Sequence, residues 1–335
     1  MKKIINKPEN FVDEMMDGII AAYGDRVKLL NGDKRILLSA YPNKEGKVGI
    51  VTAGGSGHLP LFLGYVGQGM LDGCAVGNVF ASPSSQKMAD MIRACDSGAG
   101  VLCLFGNYGG DVMNFEMARE MVDFDGIKTT VALGRDDAAS SPKETAEKRR
   151  GVAGIVYAYK IAGAAAEKMM NLEEVTAIAQ KALDNTRTMG IALSPCIVPE
   201  VGKPTFSIKD DEIEIGMGIH GEPGIEVKKM LTADEIGELL ITKINADMSL
   251  KQGDEVSVLI NGLGGTPLEE QFILYRKISL LLKDLGVSIY MPDIGVLATS
   301  MEMMGLSASV IKLDGQLKEL LRSPAATPFY TNSNK

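Results

Sequence analysis

The stretch that decides the fold covers residues 47–58 and reads KVGIVTAGGSGH, an apolar run that leads directly into a glycine cluster and a histidine. Two further runs have the same form, GVLCLFGNYGGD over residues 100–111 and KTTVALGRDD over residues 128–137. Short apolar runs that end in glycine and polar residues are typical of buried strands in a largely parallel sheet. A helical pattern over residues 113–124 separates the second run from the third. This alternation predicts an open α/β sheet.

Two polar side chains follow the ends of these strands. His58 comes after the first run and Asp111 after the second. In open α/β sheets, ligands bind in the crevice at the carboxyl ends of the strands. We therefore expect His58 and Asp111 to face one crevice.

The chain is long enough for two domains, and its pattern changes near Asn185. Before that point, residues 9–23 predict an amphipathic helix with Phe11, Met15, Ile19 and Ile20 on one face, and residues 151–184 predict a long alanine-rich helical stretch. After it, the pattern predicts strands at 197–198, 205–208, 212–220, 255–260, 287–290 and 308–313, a helix at 269–285, and a tail after Ser323 that frays or docks loosely.

The expected fold class is therefore two α/β domains, each a largely parallel or mixed sheet flanked by helices. The first domain covers residues 1–185 and carries His58 and Asp111. The second covers residues 186–335 and carries His220.

Composition limits the function classes. The 335 residues are 45% hydrophobic and 23% charged, with a net charge of −8. No basic stripe is present, so we expect no nucleic-acid partner. The first residues lack the apolar segment of a signal peptide, and the apolar stretches fall short of a membrane span, so we expect no membrane association. The four cysteines lack C-x-x-C spacing, which indicates reduced, buried thiols and a cytoplasmic protein.

Both histidines of the chain lie in glycine-rich segments, GGSGHLP at residues 54–60 and GIHGEPG at residues 218–224. Glycine lets a backbone approach a ligand closely. A histidine on a glycine-rich loop at a strand end is poorly explained as core filling, so we interpret His58 and His220 as functional. Asp111 has two equal interpretations, a helix N-cap or a carboxylate beside a substrate hydroxyl.

The sequence lacks the motifs of nucleotide-binding, zinc-dependent and serine-nucleophile sites. The chain has no G-x-x-x-x-G-K-[ST] phosphate loop, only a fragment at residues 202–205, and its glycine cluster does not match G-x-G-x-x-G. It has no H-E-x-x-H zinc motif, and Ser56 does not lie in a G-x-S-x-G elbow. We therefore expect no cofactor or metal on this chain, and a small polar molecule as its ligand.

At this point the sequence resembles a known family, the K subunit or K domain of dihydroxyacetone kinases, over nearly its whole length. The HGEPG stretch followed by NGLGGT is the most specific part of the resemblance. The matching segments are residues 54–58, 64–72, 107–115, 149–154, 202–206, 218–224 and 261–269.

The resemblance implies roles for individual residues. The histidine that matches His220 adds to the ketone carbon of the substrate and forms a hemiaminal, which suits a neutral imidazole nucleophile. The histidine that matches His58 acts as the base on a terminal hydroxyl, and the aspartate that matches Asp111 orients that hydroxyl. The other positions implied to line the substrate are Gly55, Ser56, Gly57 and Gly106.

The resemblance also implies partners. ATP or ADP with magnesium binds to a separate L-type subunit, which in one branch of the family is rephosphorylated through the sugar phosphotransferase system. The K subunits are homodimers, and the family acts in the cytoplasmic metabolism of glycerol and short ketoses.

Three departures from the family pattern cluster near the implied site. Leu59 replaces a usual glutamate, Gly106 replaces a lysine, and VGNVF at residues 76–80 replaces PGEVF. The small residue at position 106 makes room for a larger ketose such as erythrulose. Two hypotheses follow: a kinase subunit for dihydroxyacetone or a similar ketose, and a non-catalytic ketose-binding paralogue that acts as co-activator of a transcription regulator.

Overall fold

The computed structural model describes residues 2–333, which divide into two units. Unit 1 contains the chain up to Gly134, then Val156–Ala182 and the segment from Leu317 onward. Unit 2 contains Arg135–Ile155 and Leu183–Gln316. A single division near residue 185 therefore does not describe the segments 135–155 and 317–333. Residues 135–155 belong to unit 2 because they bond to its sheet: the Thr188 amide donates to the Asp136 carbonyl at 2.7 Å.

The helices begin and end as follows. Short 3-10 helices cover Pro8–Asn10, Leu63–Tyr65 and Lys143–Lys148. The α-helices are α1 (Phe11–Tyr23), α2 (Ser85–Cys95), α3 (Gly109–Asp123), α4 (Ile155–Glu167), α5 (Leu172–Asp184), α6 (Ala233–Met248), α7 (Leu268–Asp284) and α8 (Gly315–Arg322).

The strands are β1 (Val27–Leu30), β2 (Asp33–Ser39), β3 (Gly49–Ser56), β4 (Gly73–Val79), β5 (Val101–Gly106), β6 (Thr129–Gly134), β7 (Thr186–Ala192), β8 (Glu212–Ile215), β9 (Glu226–Lys229), β10 (Glu255–Gly262), β11 (Ser288–Ile289), β12 (Asp293–Gly295), β13 (Gly305–Leu313), β14 (Ala325–Ala326) and β15 (Thr331–Asn332).

The sheet of unit 1 is mixed and has the order β1-β2-β4-β3-β5-β6. Strands β4, β3, β5 and β6 run parallel to one another, whereas β2 pairs with β4, and β1 with β2, in antiparallel fashion. Helices α2 and α3 pack on this sheet, and their apolar faces share one buried core with it. Because β4, β3 and β5 are parallel neighbours, their carboxyl ends lie at the same edge.

The sheet of unit 2 has the order β11-β10-β13-β7-β8-β9, with β12 also beside β10. Its central pairs are antiparallel, and only β11 and β12 run parallel to β10. Helices α6 and α7 contribute to its buried core. The predicted fold class, α/β units with largely parallel or mixed sheets flanked by helices, is confirmed.

Two predicted helices differ in detail. In α1 the buried row is Val12, Met16 and Ile19, one residue away from much of the predicted face. Neighbouring rows of this helix are both apolar, so periodicity alone could not separate them. The stretch 151–184 is two helices, since the chain breaks at Met169, whose φ is 61°.

Two predictions for extended or loose segments are wrong. The segment around residues 197–208 forms only an isolated bridge between Ile197 and Pro204, because its prolines lack amide donors for a ladder. The tail after Ser323 does not dock loosely. Thr327 is fully buried, and its hydroxyl donates to the Gly64 carbonyl at 2.8 Å.

Among residues 2–333, none of the helices combines the length and apolar character needed to cross a membrane.

Replacement of two mid-helix glycines of unit 1 by alanine should have opposite effects on the free energy of unfolding. A Cβ on Gly163 of α4 would lie 2.5 Å from Cα of Met70, whereas a Cβ on Gly18 of α1 meets nothing within 4 Å. Gly163→Ala should lower the free energy of unfolding by about 1–3 kcal/mol through overpacking. Gly18→Ala should raise it by up to about 1 kcal/mol through helix propensity. Urea unfolding of both variants checks this, and equal effects of the two would contradict the packing of α4.

Candidate active site

Polar and aromatic side chains follow the carboxyl ends of the parallel strands of unit 1 and lie at one edge of the sheet. His58 follows β3, and Asp111 lies in the first turn of α3, after β5. Phe80 and Ser82 follow β4, which pairs with β3 in parallel. The strand order, rather than proximity in the chain, brings these four residues to the same edge.

The imidazole of His58 is held between aromatic rings. Phe80 stacks on it with ring centroids 4.8 Å apart, and Phe62 meets it edge-on at 5.9 Å. The ring of Phe62 fits because Gly54 has no side chain: a Cβ there would lie 2.3 Å from it. His58 is only 1% exposed, so these contacts fix the plane of its ring.

The Asp111 carboxylate is buried and oriented by a serine. The Ser82 hydroxyl donates to Oδ1 of Asp111 at 2.5 Å, and the Asn114 amide donates to the Pro83 carbonyl at 2.9 Å. The N-cap interpretation of Asp111 is wrong, because Tyr108 occupies the cap and Asp111 is the third residue of α3. Its carboxylate lies on the edge that also holds His58.

The four other predicted substrate positions also lie in unit 1. Gly55 packs against the chain after β4, since a Cβ on it would lie 2.7 Å from the Ala81 nitrogen. The Ser56 hydroxyl donates to the Gly77 carbonyl at 2.7 Å, which joins β3 to β4. Gly57 has a φ of 98°, a conformation that favours glycine. Gly106 is the buried last residue of β5.

His220 lies in unit 2, on the glycine-rich turn that follows β8. Its Nδ1 lies 2.8 Å from Oε1 of Glu222, and its backbone amide donates to Oε2 of Glu222 at 2.5 Å. Gly221 between them has a φ of 89°, which closes this turn. The side chain of His220 remains 24% exposed, so a small molecule can reach its ring.

Glu222 fixes the tautomer of His220. Burial raises the pKa of Glu222, but the hydrogen bonds and charge attraction from His220 outweigh it, and the pKa falls to about 2. An ionised carboxylate can only accept hydrogen bonds, so Nδ1 of His220 must carry the proton. In a neutral imidazole, Nε2 then bears the in-plane lone pair, the requirement for a nucleophile.

Arg149 and Arg150 of the RRG segment pair with two different carboxylates. Arg149 donates to Oδ2 of Asp247 at 2.5 Å, and Arg187 donates to Oδ1 at 2.5 Å. Arg150 donates instead to Oδ2 of Asp137 at 2.9 Å. Burial raises the pKa of Asp137 to about 6, against the attraction of Arg150. The first arginine stabilises unit 2, and the second lies near the His220 turn.

We expect Asp247 to stabilise the fold by an amount that depends on pH. Burial raises its pKa, but hydrogen bonds from Arg149 and Arg187 outweigh this and lower it to about 2 from 3.8. Because the folded pKa is the lower one, the stabilisation is present above about pH 4 and is lost as the pH falls through about 2. Asp247→Asn should therefore cost about 2 kcal/mol at neutral pH, and less in acid.

Urea unfolding as a function of pH measures this difference. The matched control is Asp234→Asn, which breaks the exposed pair with Arg276 and should cost less than about 1 kcal/mol at any pH. A cost for Asp247→Asn that stays constant down to about pH 2 would contradict the assignment.

Sequence reasoning gave no role to four residues: Phe80 and Ser82 beside His58 and Asp111 in unit 1, and Arg150 and Glu222 beside His220 in unit 2. Glu222 and Arg150 lie inside the HGEPG and RRG segments, so the motifs marked them without giving roles. Phe80 lies in the VGNVF segment, which marked it without giving a role, and Ser82 had no local signal because only the β3–β4 pairing brings it beside Asp111. Within residues 2–333, no group of three or more potential metal ligands is present.

Comparison with known proteins gives a consistent result over almost the whole chain. A family model described as the Dak1 domain matches residues 17–329. A Listeria innocua protein, PTS-dependent dihydroxyacetone kinase 2, dihydroxyacetone-binding subunit DhaK, is 44% identical over 98% of this chain and 99% of its own length. The L-erythrulose kinase of Pectobacterium atrosepticum is 40% identical over 98% of this chain, which spans 56% of that enzyme.

A solved structure is similar as well. The dihydroxyacetone kinase operon co-activator Dha-DhaQ superposes with a TM-score of 0.88 at 32% identity. The match covers 94% of this chain and 97% of the co-activator. Proteins of similar architecture thus carry names of both a kinase subunit and a co-activator.

Proposed function

The chain belongs to the Dak1 domain family, and from this membership we propose that it is the ketose-binding subunit of a phosphotransferase for dihydroxyacetone or a similar short ketose. The observation that carries the proposal is the His220–Glu222 pair, in which Nδ1 is held 2.8 Å from an ionised carboxylate. In the neutral form of the ring, this pair places the proton on Nδ1 and the nucleophilic lone pair on Nε2. A polyol such as glycerol offers that nitrogen no carbonyl.

Capture of the ketose proceeds by addition. Nε2 of His220 forms a bond to the ketone carbon, and the carbonyl π electrons move to the oxygen. The ring becomes positively charged, and the Glu222 carboxylate stabilises it. Loss of the Nδ1 proton and protonation of the oxygen give a neutral hemiaminal, with no other reactant required.

His58 and Asp111 prepare the captured ketose for phosphoryl transfer. Asp111, oriented by Ser82 at 2.5 Å, accepts a hydrogen bond from the terminal hydroxyl. His58 removes the hydroxyl proton as the oxygen attacks the phosphoryl group. The backbone around Gly55, Ser56 and Gly57, together with Gly106, lines the substrate.

The phosphoryl group comes from an L-type partner that holds ATP or ADP with magnesium. The printed name of the Listeria relative supports this, because a dihydroxyacetone-binding subunit of a PTS-dependent kinase implies other subunits. We also propose a homodimer and a cytoplasmic site of action in glycerol and short-ketose metabolism.

Two of the departures from the family pattern affect our expectation of which ketose is the substrate. Gly106 is buried at the end of β5, where a lysine is usual, and Asn78 is exposed, where a glutamate is usual. The space at Gly106 favours erythrulose as a substrate beside dihydroxyacetone, and the 40% identity to an L-erythrulose kinase supports this.

The test is a phosphorylation assay with an L-type subunit and its phosphoryl source. Dihydroxyacetone and erythrulose should be phosphorylated, and glycerol should not. Phosphorylation of glycerol at a rate similar to the ketoses would overturn the proposal, because glycerol cannot form the adduct.

A co-activator is the second candidate function, favoured by the 32% identity to Dha-DhaQ over 97% of its length. A chain of this kind would capture the ketose and transfer no phosphoryl group. Ketose capture without turnover, together with ketose-dependent activation of a regulator that survives His58→Ala, would select this candidate.

A further inference from the structure

The turn that carries His220 is organised by a carboxylate that itself needs a fixed position. Glu222 receives two hydrogen bonds from His220, one from the backbone amide at 2.5 Å and one from the ring at 2.8 Å. Its side chain is 32% exposed, so water can compete with His220 for the carboxylate. A rotation of Glu222 away from the ring would release Nδ1 and let both tautomers of His220 form.

Arg150 is the cation beside Glu222. Its Nη1 lies 3.9 Å from Oε2 of Glu222, and its Nη2 donates to the Gly216 carbonyl at 3.2 Å. The guanidinium therefore contacts both the start of the glycine-rich turn and the carboxylate near its end. It spans the segment that presents His220.

Arg150 is itself tightly held. Its Nε and Nη2 lie 2.9 and 2.8 Å from Oδ2 of Asp137, and its backbone amide donates to the Ser140 hydroxyl at 3.0 Å. The amide of Asp137 donates back to the Arg150 carbonyl at 3.1 Å. The side chain is 15% exposed. An arginine fixed in this way is preorganised to position a second carboxylate.

Gly218 leaves the space for this arrangement. A Cβ at position 218 would lie 2.1 Å from Oε2 of Glu222 and 2.5 Å from Nη1 of Arg150. The carboxylate and the guanidinium thus lie on either side of the space above this glycine, with Nη1 3.9 Å from Oε2. A side chain at position 218 would displace Glu222 or Arg150, which explains why a glycine precedes His220 here.

We propose that Arg150, anchored by Asp137, is a positioning residue that holds Glu222 against His220 and so selects the reactive tautomer. Arg150 acts through Glu222 and does not touch the ketose. The inference rests on the proposed ketose capture by His220, but its first readout is independent of any ketose.

The first readout is the protonation of the histidine rings by NMR of protein labelled with nitrogen-15 histidine. The chain has two histidines, so a His58→Ala spectrum assigns both. In the wild type, the neutral form of His220 should be a single tautomer with the proton on Nδ1. Arg150→Met should convert it to a mixture, and Arg150→Lys should restore part of the effect, because lysine keeps the charge and loses the planar fork.

The second readout is the rate of adduct formation with dihydroxyacetone, which should fall by about 10–100-fold in Arg150→Met. The matched control is Arg187→Met. It removes a half-buried arginine of the same unit that pairs with Asp247 and with carbonyls of Asp184 and Thr186. This control should lower stability and leave both readouts unchanged.

A folded Arg150→Met protein with the wild-type tautomer and the wild-type rate would overturn the inference. If that variant does not fold, Arg150→Gln takes its place, because glutamine removes the charge and keeps a hydrogen-bond donor for the Gly216 carbonyl. An unchanged tautomer and rate in Arg150→Gln would equally overturn the inference. Failure of the wild-type protein to form any adduct would overturn the proposed function instead, while the tautomer readout would still test Arg150.

Discussion

Replacing His58 by alanine should lower the rate of ketose phosphorylation by about 10²- to 10⁴-fold and leave ketose capture by His220 nearly intact. The two effects separate because His58 acts on the terminal hydroxyl, whereas capture uses the ketone carbon. The measurements are turnover with an L-type partner and the amount of adduct on the isolated chain.

A size-matched variant controls for the cavity that alanine leaves between Phe80 and Phe62. His58→Gln fills most of that space and cannot act as a base near neutral pH. An equal loss in both variants assigns the effect to chemistry. Turnover in His58→Gln within a few-fold of wild type would contradict the role of His58 as base.

Replacing Glu222 by glutamine should slow adduct formation by about 10²- to 10⁴-fold, the loss expected when a histidine is held in the wrong tautomer. A glutamine amide can donate to Nδ1 at the position where the carboxylate now accepts from it at 2.8 Å. That reversal places the proton on Nε2 and removes the lone pair that attacks the ketone. The time course of adduct formation with dihydroxyacetone measures the effect.

The matched control is Glu214→Gln. Glu214 accepts from the Gly224 amide at 2.7 Å on the same turn, and glutamine retains an acceptor for that bond. This variant should react within a few-fold of wild type. A Glu222→Gln protein that reacts as fast as Glu214→Gln would show that the tautomer is set by another group.

The sequence was sufficient for three of the four parallel strands of unit 1, and it did not predict β4. The runs at β3, β5 and β6 are short, apolar and followed by glycine, so the sheet and the positions of His58 and Asp111 after its strands could be predicted. The helix α6 could also have been found. Thr232 and Glu235 form a capping box, a local signal that marks the first turn of a helix.

Other features depend on contacts that are distant in the chain. The strand β2 lies beside β4, and the segment 317–333 returns to unit 1, where Thr327 reaches Gly64. No local pattern encodes either pairing. The break between α4 and α5 did have a signal, since Asn171 and Glu174 exchange hydrogen bonds at 2.9 and 3.1 Å at the start of α5.

The candidate site shows the same limit. His58, Asp111 and His220 stood out because of the glycine-rich loops around them. Ser82 and Arg150 did not, because their partners Asp111 and Glu222 are 29 and 72 residues away in the chain. The residues expected to react were thus identifiable from local sequence, and those that orient them required the fold.

The central claim is covalent capture of a ketose by His220, and intact-protein mass spectrometry tests it most directly. The protein is incubated separately with dihydroxyacetone and erythrulose, and the spectra are recorded under non-denaturing conditions that preserve a reversible adduct. The account predicts a mass increase of one ketose in the wild type and in His58→Ala, and no increase in His220→Ala. An adduct that persists in His220→Ala, or no adduct with either ketose in the wild type, would contradict it.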